Sequence, residues 1–170
     1  MDSFEKVLPK LVEIELFSDF KVDNENDKRI MKMVYDNITI KEYKKGDVII
    51  KEGDYGDDFF ILYDGSVQIY RDTPAGDKIA LANLNSTSKV FFGETALISK
   101  DTRTATVTAA TDCKTIVLSS KNFISLCDKE PLLGYRVLLH LAGRMSQTIR
   151  NTNRDKAVLY TALFDEIAEL

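Results

Sequence analysis

One carboxylate and one guanidinium stand nine residues apart in the stretch FGETALISKDTRTATV, residues 92–107: Glu94 and Arg103. Before the acid stands Gly93, which lets a backbone approach a partner closely or take a φ that other residues avoid. Residues 94–98 can form one helical turn, whose leading N–H groups lack an internal acceptor and favour an anion. A loop that doubles back would bring the forked Arg103 side chain to the same anion. A phosphate facing N–H groups and a guanidinium is held by charge-assisted hydrogen bonds. Glu94 would repel that phosphate, so its carboxylate must serve another group, such as a ribose hydroxyl. The plainer alternative is an ion pair between Glu94 and Arg103 across a loop, which contributes little when exposed.

The elements that must position these residues change character along the chain. Residues 4–20 place apolar side chains at roughly helical spacing, interrupted at Pro9. DNENDKRIMKMV then reads as a capped helix start, with Asp23 or Asn24 as the cap and Ile30, Met33 and Val34 facing the core. From about Ile38 to Ser119 the chain consists of short runs rich in Ile, Val, Phe, Tyr and Thr, among them ITIKEY, DVIIKEG, DFFILYDGSVQIYR, KIALANL, RTATVTA and KTIVLSS. Gly, Asp, Asn and Pro punctuate them, and TPAGD (73–77) reads as a hairpin turn. Residues 121–170 are helical again. Pro131 suits a first turn, and Leu138, Leu141, Ala142, Met145 and Ile149 repeat at helical spacing. Asn151–Asn153 is either a break or a polar turn of one continuous helix. The fold class predicted is mainly β with flanking helices, a jelly-roll β-barrel with N-terminal helices and a long C-terminal helix. A single domain spans 1–170: helices over 1–36, the barrel over 37–120 with residues 92–106 inserted in it, and C-terminal helices over 121–170.

Bulk properties exclude several functions. The 170 residues suit one domain, and 44% hydrophobic with 29% charged residues is a globular balance. A net charge of −4 is not the basic footprint of a nucleic-acid binder. There is no run of membrane-spanning length and no signal-peptide pattern, so the cytoplasm is the expected location. Cys113 and Cys127 have no metal-ligand spacing and read as small buried hydrophobes. His140 is the single histidine, which cannot build the metal clusters of jelly-roll enzymes. With no P-loop and no Ser/His/Asp set, neither a catalytic nor a metal site is expected. Phe59, Phe60, Phe91 and Phe92 read as core.

The stretch 92–107 resembles the phosphate-binding cassette of the cyclic-nucleotide-binding domain family, found in the catabolite activator protein, in cyclic-nucleotide-dependent kinase regulatory subunits and in gated channels. Phe92, Gly93, Glu94, Ala96, Leu97, Arg103, Thr104 and Ala105 match its pattern. Upstream, Gly53, Asp54, Phe60, Ile61, Gly65 and Val67 fit the family's strand–turn–strand signature. The resemblance covers roughly residues 36–150. It favours the ligand over the Glu94–Arg103 ion pair, and the ligand implied is cyclic AMP or cyclic GMP, with no cofactor.

The resemblance implies a role for each matching residue. Arg103 would bind the exocyclic phosphate, backbone N–H groups of Ala96 and its neighbours Thr95 and Leu97 would cap the same oxygens, and Glu94 would accept from the ribose 2′-hydroxyl. Thr104 would touch the phosphate or a syn purine, as in members that prefer cyclic GMP; the alternative is an ordinary strand threonine. An ungapped register places Thr148 where the catabolite activator protein contacts the adenine, against the alternative of a threonine on a solvent face or dimer seam. Cyclic AMP therefore ranks ahead of cyclic GMP. Transcription factors of the family carry a helix-turn-helix after the long helix, for which residues beyond Asn153 offer no room, so no nucleic-acid partner is expected. The predicted function is a non-enzymatic cyclic-nucleotide sensor that signals through its C-terminal helix to an unidentified protein. Leu138, Leu141, Met145 and Ile149 form either a homodimer seam or a face packed on the barrel. The alternatives are a scaffold domain that kept the fold and lost the ligand, against which the intact Glu94 and Arg103 argue, and a regulatory fragment of a larger protein, against which the initial Met argues.

Overall fold

The computed structural model describes residues 2–73, 76–99 and 102–168. Pro74 and Ala75 of the expected hairpin turn lie outside the described residues. So do Lys100 and Asp101 of the expected cassette, and Met1, Glu169 and Leu170 at the ends of the span read as one domain.

Among the described residues, eight strands form two four-stranded antiparallel sheets. In spatial order the first holds β1 (Thr39–Tyr43), β8 (Cys113–Ser119), β3 (Asp58–Asp64) and β6 (Phe91–Phe92). The second holds β2 (Val48–Ile50), β7 (Thr106–Ala109), β4 (Ser66–Asp72) and β5 (Lys78–Asn85). The uninterrupted FFIL of β3 follows from cover on both its faces, which removes the need for a polar alternation. Phe60 and Leu62 enter the space between the sheets with Ile50, Val67, Val107 and Val117. Phe59 and Ile61 point the other way and pack beneath the helices with Phe91, Ile116 and Leu118. The four phenylalanines Phe59, Phe60, Phe91 and Phe92 are all buried, in two cross-strand pairs. β7 begins at Thr106, not at Arg103 as the RTATVTA run suggests. The backbone of Arg103 is engaged elsewhere: its N–H donates to Asp54 O and its carbonyl accepts from the Gly53 N–H, both at 2.9 Å.

The helices cover the outer face of the first sheet. Helix α1 (Phe4–Glu13) runs through Pro9, and the interruption comes instead at the extended Ile14. Burial of Val7, Leu8 and Leu11, at about 1.5–3 kcal/mol each, outweighs the roughly 3 kcal/mol cost of an interior proline. A 3-10 turn, Glu15–Phe17, follows. In α2 (Glu25–Tyr35) Asn24 is the cap, its Oδ1 accepting from the Asp27 N–H at 3.0 Å. Ile30 and Val34 are buried as expected, but Met31 takes the third core position and Met33 packs at its margin. Helix α3 (Ser120–Lys129) is capped by Ser119. Helix α4 starts at Pro131 and continues through Asn151–Asn153 to Ala168 without a break.

A buried ion pair ties α4 to the N-terminal helices. Asp27 is only 5% exposed. Its carboxylate accepts from Arg136 Nη1 at 2.8 Å and from the Lys21 N–H at 3.1 Å, and the guanidinium lies 4.7 Å from the Phe20 ring centre. A buried carboxylate needs such partners, because an unpaired charge in the interior is strongly destabilising. Asp27→Ala, read by urea unfolding, is expected to remove about 2–4 kcal/mol, somewhat below the 3–5 of a fully buried pair because Arg136 retains some exposure.

Candidate functional site

The guanidinium of Arg103 is the centre of the site. It sits between the start of β3 and Gly93, directly after β6, over the Phe60 ring (6.0 Å to the centre). Its Nη2 donates to the Asp58 carbonyl at 2.7 Å. Its Nη1 is buried and has no hydrogen-bond partner among the described residues. Burial pushes the Arg103 pKa down from the ordinary arginine value, and the carboxylates of Asp58 and Asp57 push it back up. Arginine remains charged at neutral pH under such shifts. The result is a fixed cation with one unanswered donor.

Two glycines make room for it. Gly93 follows β6 with φ of +73°, and a Cβ there would lie 2.9 Å from Arg103 Nη1. At Gly56 a Cβ would lie 3.0 Å from Nε and Nη2. Gly93 starts the 3-10 turn Glu94–Leu97, the single turn predicted from the sequence. Its carbonyl accepts from the Ala96 N–H at 3.1 Å, which leaves the turn's first N–H groups, those of Glu94 and Thr95, as the positions without an acceptor inside the turn.

Glu94 does not pair with Arg103. Its Oε1 lies 3.4 Å from Arg144 Nε, and the Arg144 guanidinium stacks 4.4 Å from the centre of the Phe91 ring. The ion-pair alternative for Glu94 and Arg103 is thereby replaced by a different pair, between the turn and helix α4.

These groups line one cavity of about 610 Å³ between the second sheet, the turn and α4. Phe92, Gly93, Glu94, Thr95, Arg103, Thr104, Ala105 and Thr148 all contribute to its wall. Ala96 and Leu97 do not: both side chains are buried, Leu97 among the helices, and the Ala96 N–H is taken by Gly93. Thr104 is exposed in the bend before β7, so it is no ordinary strand threonine. The sequence reading missed Arg144. The available signal was its place one helical turn before Thr148, on the same face. It also missed the apolar wall of Ile50, Ile69, Leu81, Leu84 and Val107, which reads in sequence only as strand core. One end of the cavity is thus cationic and donor-rich, the middle presents a carboxylate, and the far wall is apolar with two hydroxyls. Such a surface suits an anion joined to a hydroxylated ring and a flat apolar group.

Among the described residues, no cluster of His, Cys, Asp or Glu is placed to hold a metal ion, and no helix is long and apolar enough to cross a membrane.

The model of the cyclic nucleotide-binding domain matches residues 40–130, more than half of the chain, and the chain belongs to that family. It is 36% identical over 91 residues to cGMP-dependent protein kinase 2 of Homo sapiens, covering 53% of this chain and 12% of the kinase. It is 36% identical over 93 residues to the cAMP-dependent protein kinase regulatory subunit of Dictyostelium discoideum, covering 50% of this chain and 26% of the subunit. Among solved structures, the N-terminal domain of a transcriptional regulator from Streptomyces coelicolor A3(2) has the same fold, with a TM-score of 0.72 at 24% identity, covering 84% of this chain and 94% of that one.

The steric reading of Gly93 is testable without a ligand. Gly93→Ala would force a Cβ against Arg103 Nη1 in a left-handed backbone conformation. It is expected to lower the free energy of unfolding by about 1–3 kcal/mol, measured by thermal or urea denaturation.

Proposed function

We propose that this domain is a non-enzymatic cyclic-nucleotide sensor, with cyclic AMP preferred over cyclic GMP. The observation that carries the reading is the buried Nη1 of Arg103, a cationic donor without a partner among the described residues, at the wall of the cavity. A cyclic phosphate answers it with a charge-assisted bond. The N–H groups of Glu94 and Thr95 face the same oxygens in this reading, a change from the capping role first assigned to Ala96. The Glu94 carboxylate accepts from the ribose 2′-hydroxyl, oriented from behind by Arg144. The base lies against the apolar wall, between Thr104 and Thr148.

Relatives named for cyclic GMP and for cyclic AMP match equally well, at 36% identity each. The base preference therefore rests on Thr148. Contact between the base and Thr148 favours the docked position of α4 over others, and that differential affinity is the signal passed to a partner. The role is cytoplasmic and regulatory, with no membrane or nucleic-acid step.

The candidate homodimer seam is narrower than the sequence pattern. Leu141 is buried in the protein's own core, whereas Leu138, Met145 and Ile149 are 44%, 44% and 60% exposed. Light scattering with and without nucleotide tests the seam: a dimer is expected, and a strict monomer in both conditions rules it out.

The site is tested by calorimetric titration with each nucleotide. Binding near micromolar, or roughly −8 kcal/mol, is expected for cyclic AMP. Arg103→Ala should cost about 2–5 kcal/mol, a tens- to thousands-fold loss. Folded protein that gives no heat or thermal stabilisation with either nucleotide would contradict the reading.

A further inference from the structure

Helix α4 carries Arg136, His140 and Arg144 one helical turn apart on one face. Each meets a carboxylate from the segment 15–27. Arg136 Nη1 lies 2.8 Å from Asp27 Oδ1, His140 Nε2 lies 3.0 Å from Asp19 Oδ2, and Arg144 Nη1 lies 3.8 Å from Glu15 Oε2. The next position in the same series is Thr148, which lines the cavity. Three rungs therefore lead from the dry anchor of α4 to the residue that overlooks the candidate base site.

The rungs are graded along the helix. At the first, both side chains are largely buried (24% and 7% exposed), and Arg136 also donates to the Asp19 carbonyl at 3.3 Å. At the last, both are wet (41% and 52%), and Arg144 divides itself between Glu15 and Glu94. Taken singly, exposed pairs contribute little. Here they act on one rigid helix whose first rung is already fixed, so each further rung restricts the swing of the same lever. Beyond Arg144 every residue of α4 with a described side chain is exposed, so the position of Thr148 is set by the contacts of Leu141 and Arg144 and the rungs before them.

We propose that this ladder is the device that docks α4 over the nucleotide site, with Asp19 and Glu15 as positioning residues for Thr148. The proposal rests on the reading of Thr148 as the base contact. Neither Asp19 nor Glu15 lines the cavity, so their influence on affinity is relayed by α4 and its side chains Arg144 and Thr148. The N-terminal segment thereby becomes part of the sensor, and whatever displaces it would loosen the grip on the base while leaving the grip of Arg103 on the phosphate intact.

The test is a double-mutant cycle on the whole chain, read by calorimetry with cyclic AMP. One arm is Thr148→Ala. The other is Asp19→Asn with Glu15→Gln, which leaves the buried Asp27 rung untouched. The ladder variant is expected to bind about 3–10-fold more weakly, because the binding-competent position of α4 is less populated. In that background Thr148→Ala should have little further effect, a non-additivity that general destabilisation does not produce. Asp19→Glu with Glu15 intact, which keeps the carboxylate, should restore wild-type affinity. Strictly additive effects, or unchanged affinity in the ladder variant, would overturn the proposal. Amide hydrogen exchange across residues 141–150 without nucleotide supplies a second reading. Faster exchange in the ladder variant is expected and unchanged exchange would overturn the proposal, even if the wild type bound no cyclic nucleotide and only the function reading failed.

Discussion

Arg103 holds a positive charge inside the protein, and the protein answers only part of its donor fork. Nη2 is satisfied by the Asp58 carbonyl, whereas Nη1 is buried without a partner among the described residues. Leaving a buried donor unanswered costs about 1–3 kcal/mol, and more for a charged group. Much of the surrounding structure is arranged to keep the side chain in that position. Gly93 and Gly56 give up their Cβ atoms to it, the Phe60 ring lies beneath it, and its backbone is tied to Gly53 and Asp54. The proposed function uses this cost: beside a cavity of about 610 Å³, the open donor is the position proposed for the phosphate.

The sandwich supplies the rigidity that such a site needs. β3 is buried on both faces, so the Asp58 carbonyl at its start is anchored by both cores. β6 is only two residues long, yet it pairs with β3 through Phe60 and Phe92 and delivers the chain directly into Gly93. The far wall of the cavity belongs to the second sheet, and its lid is α4, which the N-terminal helices hold through Asp27 and Arg136. Each layer of the fold thus contributes one chemical component: the first sheet and its turn the polar end, the second sheet the apolar wall, and helix α4 the edge that carries Arg144 and Thr148.

Much of this was legible in the sequence, for local reasons. Strands show as short β-branched and aromatic runs between turn residues, and six such runs correspond to observed strands. The 3-10 turn at Glu94 was readable because a glycine needing positive φ precedes it. What stayed hidden depends on partners distant in sequence. Glu94 pairs with Arg144, fifty residues away, and not with the arginine visible nearby. Pro9 reads as a breaker because the burial that offsets it is tertiary, and Met31 displaces Met33 because the angle at which α2 meets the core is set by other helices. Ala96 and Leu97 fit the cassette pattern, but the turn directs their side chains into the core. The ladder from Arg136 to Arg144 was unreadable for the same reason: its acids lie more than a hundred residues upstream.

The central claim is that the free donor of Arg103 receives the phosphate of a cyclic nucleotide. The most direct measurement is a titration of the arginine side-chain nitrogen resonances with cyclic AMP, with the Arg103 signal assigned by its loss in Arg103→Lys. The account predicts that the Arg103 guanidinium signals shift and sharpen as the phosphate fixes Nη1, in step with saturation of the site. Saturable binding that leaves the Arg103 signals unmoved while other arginines respond would place the phosphate elsewhere and contradict the account.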